Sequence, residues 1–184
     1  MARFLHLSDL HVVPEGMRAS GVLDTRGLLQ SAIDRLLRLR DALAPLDGVL
    51  VTGDISDDGS PESYAFARAE LGRLDLPLFV VPGNHDAREP FRTAFADLPG
   101  MPGQGLIDWT VTVSGTCLIG LDTLVEGQGG GVLRTESLEF LRVSIENAEP
   151  GPVVIMLHHP PIRTGIRFMD AIGLENTSAL TSIL

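Results

Sequence analysis

Short apolar runs alternate along the chain with segments of helical periodicity. Each run is followed by turn-forming or polar residues, a pattern that predicts strands. The runs lie at residues 4–7, 48–52, 78–81, 111–113, 116–121 and 153–157. Between them, apolar side chains repeat on one helical face, as at Leu29, Ile33 and Leu36 and later at Leu138 and Leu141. Strands that alternate with helices predict an α/β fold.

Two local signals refine this prediction. Ser60-Pro61 is typical of a helix start, because serine caps the first free N–H groups and proline is accommodated in the first turn. That helix should continue to about Leu71. Ser114-Gly115 lies between two strand-like runs and indicates a hairpin, so we expect mixed sheets.

Composition narrows the class of protein. The chain has 184 residues, of which 44% are hydrophobic, and this is enough for one core, so we interpret residues 1–184 as a single domain. A net charge of −10 opposes binding to a nucleic-acid polymer, which requires clustered basic side chains. The single cysteine, Cys117, lies in an apolar run and is expected to be buried. With no apolar run of membrane-spanning length, the sequence favours a cytoplasmic location without a membrane partner.

Polar residues that can bind metal recur just after the predicted strands. Open α/β sheets place their sites at the carboxyl ends of strands, so these residues should converge at one edge. Oxygen and nitrogen donors without a thiolate suit Mn, Fe, Co or Zn, and a carboxylate can bridge two such ions. Two ions can hold a hydroxide between them and stabilise an in-line displacement at phosphorus. The four motifs are Asp9-Leu10-His11, Gly53-Asp54, Gly83-Asn84-His85-Asp86 and His158-His159-Pro160-Pro161.

These four ordered motifs resemble the signature blocks of the calcineurin-like metallophosphoesterases. The segments His6-Leu7-Ser8-Asp9-Leu10-His11 and Ser60-Pro61-Glu62-Ser63-Tyr64 are similar to the branch of class III cyclic-nucleotide phosphodiesterases and glycerophosphodiesterases. The resemblance extends over essentially the whole chain. It implies a sandwich of two mixed β-sheets flanked by helices, with the site at one edge and the second sheet incomplete.

The resemblance also implies a role for each matching residue. Asp9 and His11 would bind the first metal ion, and Asp54 would bridge the two ions. Asn84 and His158 would bind the second ion, and Asn84 would also be available to a phosphate oxygen.

Two further residues receive catalytic roles from the same resemblance. His85 would contact the substrate phosphate and protonate the leaving oxygen as a general acid. Asp86 would orient the imidazole of His85.

One family motif is absent from the sequence. The family has a late Gly-His-x-His block that supplies one further histidine to each metal, but the remaining histidines here are His6, expected in the core, and His159, expected to face away from the metals. We therefore hypothesise that the domain is truncated at its C-terminus. An incomplete second sheet would expose apolar surface and favour pairing with another copy of the chain.

The sequence thus predicts a phosphodiesterase that hydrolyses small phosphodiesters, either cyclic nucleotides or glycerophosphodiesters, with two transition-metal ions. An alternative is a non-catalytic interaction domain, or an inactive fragment, that keeps the fold with an incomplete metal site. A nuclease of the same fold is the weakest alternative, because the chain is acidic and has no basic stripe.

Overall fold

A computed structural model describes residues 2–184 and contains helices and strands in alternation. The helices are α1 (Thr25–Leu43), α2 (Pro61–Gly72), α3 (Arg88–Ala94), α4 (Thr135–Glu146), α5 (Arg167–Ala171) and α6 (Thr177–Ile183). The strands are β1 (Phe4–Leu7), β2 (Gly48–Thr52), β3 (Leu78–Val81), β4 (Trp109–Val113), β5 (Thr116–Gly120), β6 (Gly131–Val132), β7 (Val153–Met156) and β8 (Leu174–Glu175). The α/β class predicted from the apolar pattern is confirmed.

The first sheet consists of three parallel strands in the order β1-β2-β3. Each strand is four or five residues long and is followed by one of the first three polar motifs. Because the strands are parallel and in register, their carboxyl ends lie at one edge. The sequence led us to expect mixed sheets throughout, but the pairs described in this sheet are all parallel, since α1 and α2 return the chain to the same starting edge.

The second sheet is mixed, as the hairpin signal indicated. Strands β4 and β5 are antiparallel and are joined at Ser114 and Gly115, both of which have positive φ angles. Strand β7 pairs in parallel with β5. The fourth motif directly follows the carboxyl end of β7. A further pair of two-residue strands, β6 and β8, is also parallel.

Side chains from both sheets form one core between them. Trp109 of β4 is 3% exposed, its indole N–H donates to the carbonyl of Val80 at 2.8 Å, and its ring lies 6.1 Å from that of Phe79. Leu118 and Met156 of the second sheet belong to the same buried cluster. The two sheets therefore pack face to face, with Trp109 in the core between them.

A second, smaller core lies on the other face of the mixed sheet. Cys117 and Ile119 alternate with Leu118 along β5 and so point to the opposite side. There they pack with Leu141 of α4 and Leu180 of α6. Cys117 is buried with a free thiol, as expected.

The start of α2 matches its sequence signal. Ser60 adopts an extended conformation and its side chain accepts a hydrogen bond from the backbone N–H of Ser63, while Pro61 is the first helical residue. Among the helices within residues 2–184, none is both long and apolar enough to cross a bilayer.

Replacing Trp109 with alanine is expected to lower the free energy of unfolding by about 3–5 kcal/mol, because it leaves a cavity between the sheets and an unpaired Val80 carbonyl. Urea denaturation followed by circular dichroism measures the change. Thr112→Ala, at an exposed position of the same strand, is the control and should change stability by less than about 0.5 kcal/mol. Equal effects of the two substitutions would contradict the shared core.

Candidate metal centre

Backbone hydrogen bonds continue beyond the ends of β1 and β2 and hold the first two motifs together. The N–H of Asp9 donates to the carbonyl of Gly53 at 3.1 Å, and the N–H of His11 donates to the carbonyl of Asp54 at 2.8 Å. Asp9, His11 and Asp54 all have positive φ angles, of 57°, 44° and 49°. Left-handed backbone is costly for residues other than glycine, so three such residues in adjoining turns indicate a site that the surrounding contacts stabilise.

Glycines permit the close approach of the second, third and fourth motifs. A methyl group at Gly53 would lie 2.6 Å from Nδ1 of His158, and one at Gly83 would overlap the carboxylate of Asp54. Gly53 also has a φ angle of 92°, which glycine alone adopts without strain. Both glycines are therefore required for the turns to meet around Asp54.

The carboxylate of Asp54 lies at the centre of the site. This residue is 3% exposed, and its Oδ2 lies 3.5 Å from Nε2 of His11 and 3.5 Å from Nε2 of His158. Its Oδ1 accepts a hydrogen bond from the backbone N–H of His85 at 2.9 Å. Asp9 completes one side, with its Oδ1 3.9 Å from Nε2 of His11. One carboxylate oxygen thus faces two imidazoles, as a bridging ligand would.

The tautomer of His11 is set by Asp57, a residue that the sequence analysis missed. Nδ1 of His11 lies 2.9 Å from Oδ1 of Asp57 and donates to that carboxylate. Nε2 then has a free lone pair directed toward Asp9 and Asp54, which is the state that a metal ligand requires. Asp57 follows Asp54 by three residues, but the path of the intervening turn, which brings it back to His11, has no sequence signature.

His158 is prepared in the same way. Its Nδ1 donates to the backbone carbonyl of Thr52 at 2.8 Å, so its Nε2 also has a free lone pair. That atom lies 3.1 Å from Oδ1 of Asn84. With Nδ1 protonated, Nε2 of His158 and Oδ1 of Asn84 are both hydrogen-bond acceptors. Two acceptors do not hydrogen-bond to each other, so a cation between them is the better partner for both atoms.

The structure therefore brings together all five residues predicted as metal ligands. They supply carboxylate, amide and unprotonated imidazole donors, a set that fits a transition-metal ion. Ligand atoms of Asp9, His11 and Asp54 lie within 4.8 Å of one another, as do those of His11, Asp57 and His85. Asn84 and His158 complete the set, with Nε2 of His158 near both Asp54 and Asn84.

His85 lies at the same site but is held by different contacts. Its Nδ1 lies 3.1 Å from the backbone carbonyl of Asp57 and 3.4 Å from that residue's Oδ1. Its ring packs edge-on against His11 at 4.7 Å, and its side chain is 43% exposed. Because Nδ1 is occupied, Nε2 is the nitrogen available to a substrate.

The prediction that Asp86 orients His85 is wrong. Asp86 is 4% exposed and accepts hydrogen bonds from the backbone N–H groups of Gly83, Ser56 and Ile55 and from the hydroxyl of Tyr64. These contacts occupy both of its carboxylate oxygens. Asp86 instead connects the turn after β3 to the turn after β2, and Asp57 takes the position beside His85.

The remaining two histidines differ from each other. His159 is 3% exposed and its Nδ1 lies 2.8 Å from the hydroxyl of Thr123, so it faces away from the site as predicted. His6 was expected in the core, but it is exposed, because β1 forms the edge of the described sheet; its Nε2 contacts the hydroxyl of Thr52.

A sequence model of the family described as calcineurin-like phosphoesterase matches residues 2–177. The chain belongs to this family. Membership implies divalent metal ions, for which the acid and histidine groups described above are the candidate ligands. The resemblance predicted from the four motifs is confirmed.

Curated relatives match over nearly the whole chain. It is 35% identical over 181 residues to the 3′,5′-cyclic adenosine monophosphate phosphodiesterase CpdA of Pseudomonas aeruginosa, a match that covers 98% of this chain and 63% of that protein. It is 30% identical over 181 residues to the glycerophosphodiester phosphodiesterase GpdQ of Enterobacter lignolyticus, covering 97% of this chain and 64% of that protein. The chain spans less than two thirds of the length of each relative.

Solved structures share the fold at low sequence identity. A purple acid phosphatase, PPD1 from yellow lupin, matches with a TM-score of 0.63 and 13% identity over 91% of this chain and 32% of that one. The crystal structure of TT1561 of Thermus thermophilus matches with a TM-score of 0.57 and 16% identity over 99% of this chain and 77% of that one. At these identities the likenesses show a shared fold.

Replacing Asp57 with alanine is expected to weaken metal binding by about 10–100-fold, because His11 loses the acceptor that sets its tautomer. Calorimetric titration of the metal-free protein with Mn measures the change. Asp41→Ala removes one negative charge at an exposed position of α1 and serves as the control. If both variants bound Mn with the affinity of the original chain, Asp57 would have no role in ligand orientation.

Burial, and secondarily the neighbouring His158, lowers the pKa of His159 from 6.5 to about 4. Between these values the unfolded chain binds a proton that the folded chain does not, so stability is lost as pH falls from 6.5 to 4. We expect a loss of about 2–3 kcal/mol in the metal-free protein, measured by urea denaturation.

The control separates this effect from general acid denaturation. His159→Gln should flatten the dependence of stability on pH in that interval, whereas His6→Gln, at an exposed histidine, should retain it. An unchanged slope in His159→Gln would show that His159 titrates equally in the folded and unfolded states.

Proposed function

We propose that the protein is a metal-dependent phosphodiesterase that hydrolyses small phosphodiesters. The observation that carries this proposal is the position of the Asp54 carboxylate, with one oxygen 3.5 Å from the free Nε2 atoms of two histidines, His11 and His158. A buried carboxylate between two imidazoles that each present an unprotonated Nε2 is suited to two neighbouring metal ions. When bound, such ions activate a water molecule and stabilise the charge that develops on a transferring phosphoryl group.

The chain's own residues divide between the two ions. Asp9 and His11 would hold one ion, Asn84 and His158 would hold the other, and Asp54 would contact both. Four side chains and the shared carboxylate leave positions open for water and substrate, as a catalytic site requires. The side-chain N–H of Asn84 is free to donate to a phosphate oxygen while its Oδ1 faces the metal side.

We assign the leaving-group role to His85. Its Nδ1 is anchored at the carbonyl of Asp57, so it is the imidazolium form, in which both ring nitrogens are protonated, that can donate a proton from Nε2 to the oxygen that departs from phosphorus. Its half-exposed side chain lies at the open side of the site, where a substrate would enter. The backbone N–H of His85 donates to Asp54, which fixes the position of the general acid relative to the ligands.

The names of the relatives support the substrate class. CpdA of Pseudomonas aeruginosa is named for 3′,5′-cyclic adenosine monophosphate and GpdQ of Enterobacter lignolyticus for glycerophosphodiesters. Both are diesters of small alcohols, and we extend that class to this protein. The same proposal includes three further predictions. The ions are Mn, Fe, Co or Zn, the location is cytoplasmic, and the chain pairs with a second copy.

Two substitutions test it. In the presence of added Mn, Asp54→Ala should abolish both Mn binding and hydrolysis of bis-p-nitrophenyl phosphate, because both halves of the site lose their shared ligand. His85→Gln should retain Mn binding but lower kcat by about 10²–10⁴-fold, since only the proton donor is removed.

His6→Gln, outside the ligand set, is the matched control and should resemble the unaltered chain. Turnover that persists in Asp54→Ala would reject the mechanism. Mn binding without any turnover in the unaltered chain would instead favour the interaction domain with a retained metal site.

A further inference from the structure

A large cavity opens directly beside the candidate metal centre. It has a volume of about 570 Å³ and is bordered on one side by Asp9, His11, Asp57 and His85. This volume lies within the range of pockets that bind small molecules, roughly 300–1,000 Å³. A substrate whose phosphorus lay at the metal centre would therefore have one substituent in or next to this cavity.

Much of the rest of the cavity lining is apolar. It includes Leu10 after β1, Ala19 and Leu23 in the segment before α1, and Leu28 and Ala32 on α1. Leu23 and Leu28 are 51% and 60% exposed. A single exposed leucine is ordinary, but two that line one cavity continuous with a polar site form a surface that gains from covering by an apolar group.

We propose that this cavity is the subsite for one ester substituent of the substrate, and that it selects an aromatic or nucleoside-like substituent over a small polar one such as glycerol. The inference rests on the proposed phosphodiesterase function, because the metal centre would place the phosphorus. The apolar lining covers the ring of the substituent. A glycerol group would have to lose water at several hydroxyls against leucine side chains, with few polar groups of the lining, such as Ser8 and Ser20, to replace it.

Binding of phosphonates tests the subsite without requiring turnover. Calorimetry on the whole Mn-loaded chain gives the Kd of methylphosphonate, which reports on the metal centre alone, and of phenylphosphonate, which adds a ring. We expect phenylphosphonate to bind about tenfold more tightly or better, because the ring is buried against the leucines. Ala32→Trp, at an exposed position on the cavity wall, should fill the cavity and reduce this preference to about twofold, with methylphosphonate unchanged.

Ser31→Trp is the matched control, since Ser31 is an exposed neighbour on α1 that does not line the cavity. It should retain the full preference for the phenyl group.

Failure of the subsite and failure of the proposed function give different results. Equal affinity for the two phosphonates, or no binding of phenylphosphonate, would overturn the subsite even where methylphosphonate binding requires Mn. A phenyl preference that Ala32→Trp removes, but that is independent of Mn, would keep the subsite and reject the metal-centred function.

Discussion

The site depends on the burial of one carboxylate. Asp54 is almost fully removed from water and contacts groups from all four motifs or their neighbours. A buried charge is strongly unfavourable unless it is paired, so the surrounding turns have to supply partners. The backbone N–H of His85 supplies one partner, and because both imidazoles direct lone pairs at Asp54, a bound cation would supply the other. This requirement explains why three turns after parallel strands close tightly around a single carboxylate.

A layer of contacts behind the ligands determines what the site can bind. The carboxylate of Asp57 and the carbonyl of Thr52 each accept a hydrogen bond from the Nδ1–H of a ligand histidine. Both imidazoles therefore present an unprotonated Nε2 toward Asp54. The acceptors at Nδ1 determine this protonation, and the presence of a histidine alone does not. Asp86 contributes indirectly. Its hydrogen bonds to the turns after β2 and β3 hold the two turns, and with them the partners of the imidazoles, at fixed distances. The carboxylates thus have three different roles. Asp54 is the candidate shared ligand, Asp57 orients a ligand histidine, and Asp86 connects the turns.

Much of this arrangement could be predicted from the sequence, and the failures have a physical cause. Each of the first three motifs directly follows a strand. The parallel order of these strands alone therefore predicts that Asp9, Asp54 and Asn84 lie close together. The role of Asp57 could not be predicted, because it depends on the turn after β2, where the left-handed Gly53 and Asp54 change the expected side-chain directions. The role of Asp86 could not be predicted, because its partners Ile55 and Ser56 lie 31 and 30 residues earlier in the chain. His6 was misplaced for a related reason, since periodicity shows which face a strand residue lies on but not whether another element covers that face.

The charge of the site also explains why metal binding and folding should be coupled. Asp9, Asp54 and Asp57 lie around His11, within contact distance of one ring, and His11 is a donor to one of them only. In the absence of a cation, the like charges of these carboxylates oppose the closed arrangement of the turns. A metal ion removes that opposition only when the turns are closed, so its binding energy stabilises the folded chain. The same acidic residues that contribute to the net charge of −10 are therefore part of the stability of the fold once a cation occupies the site.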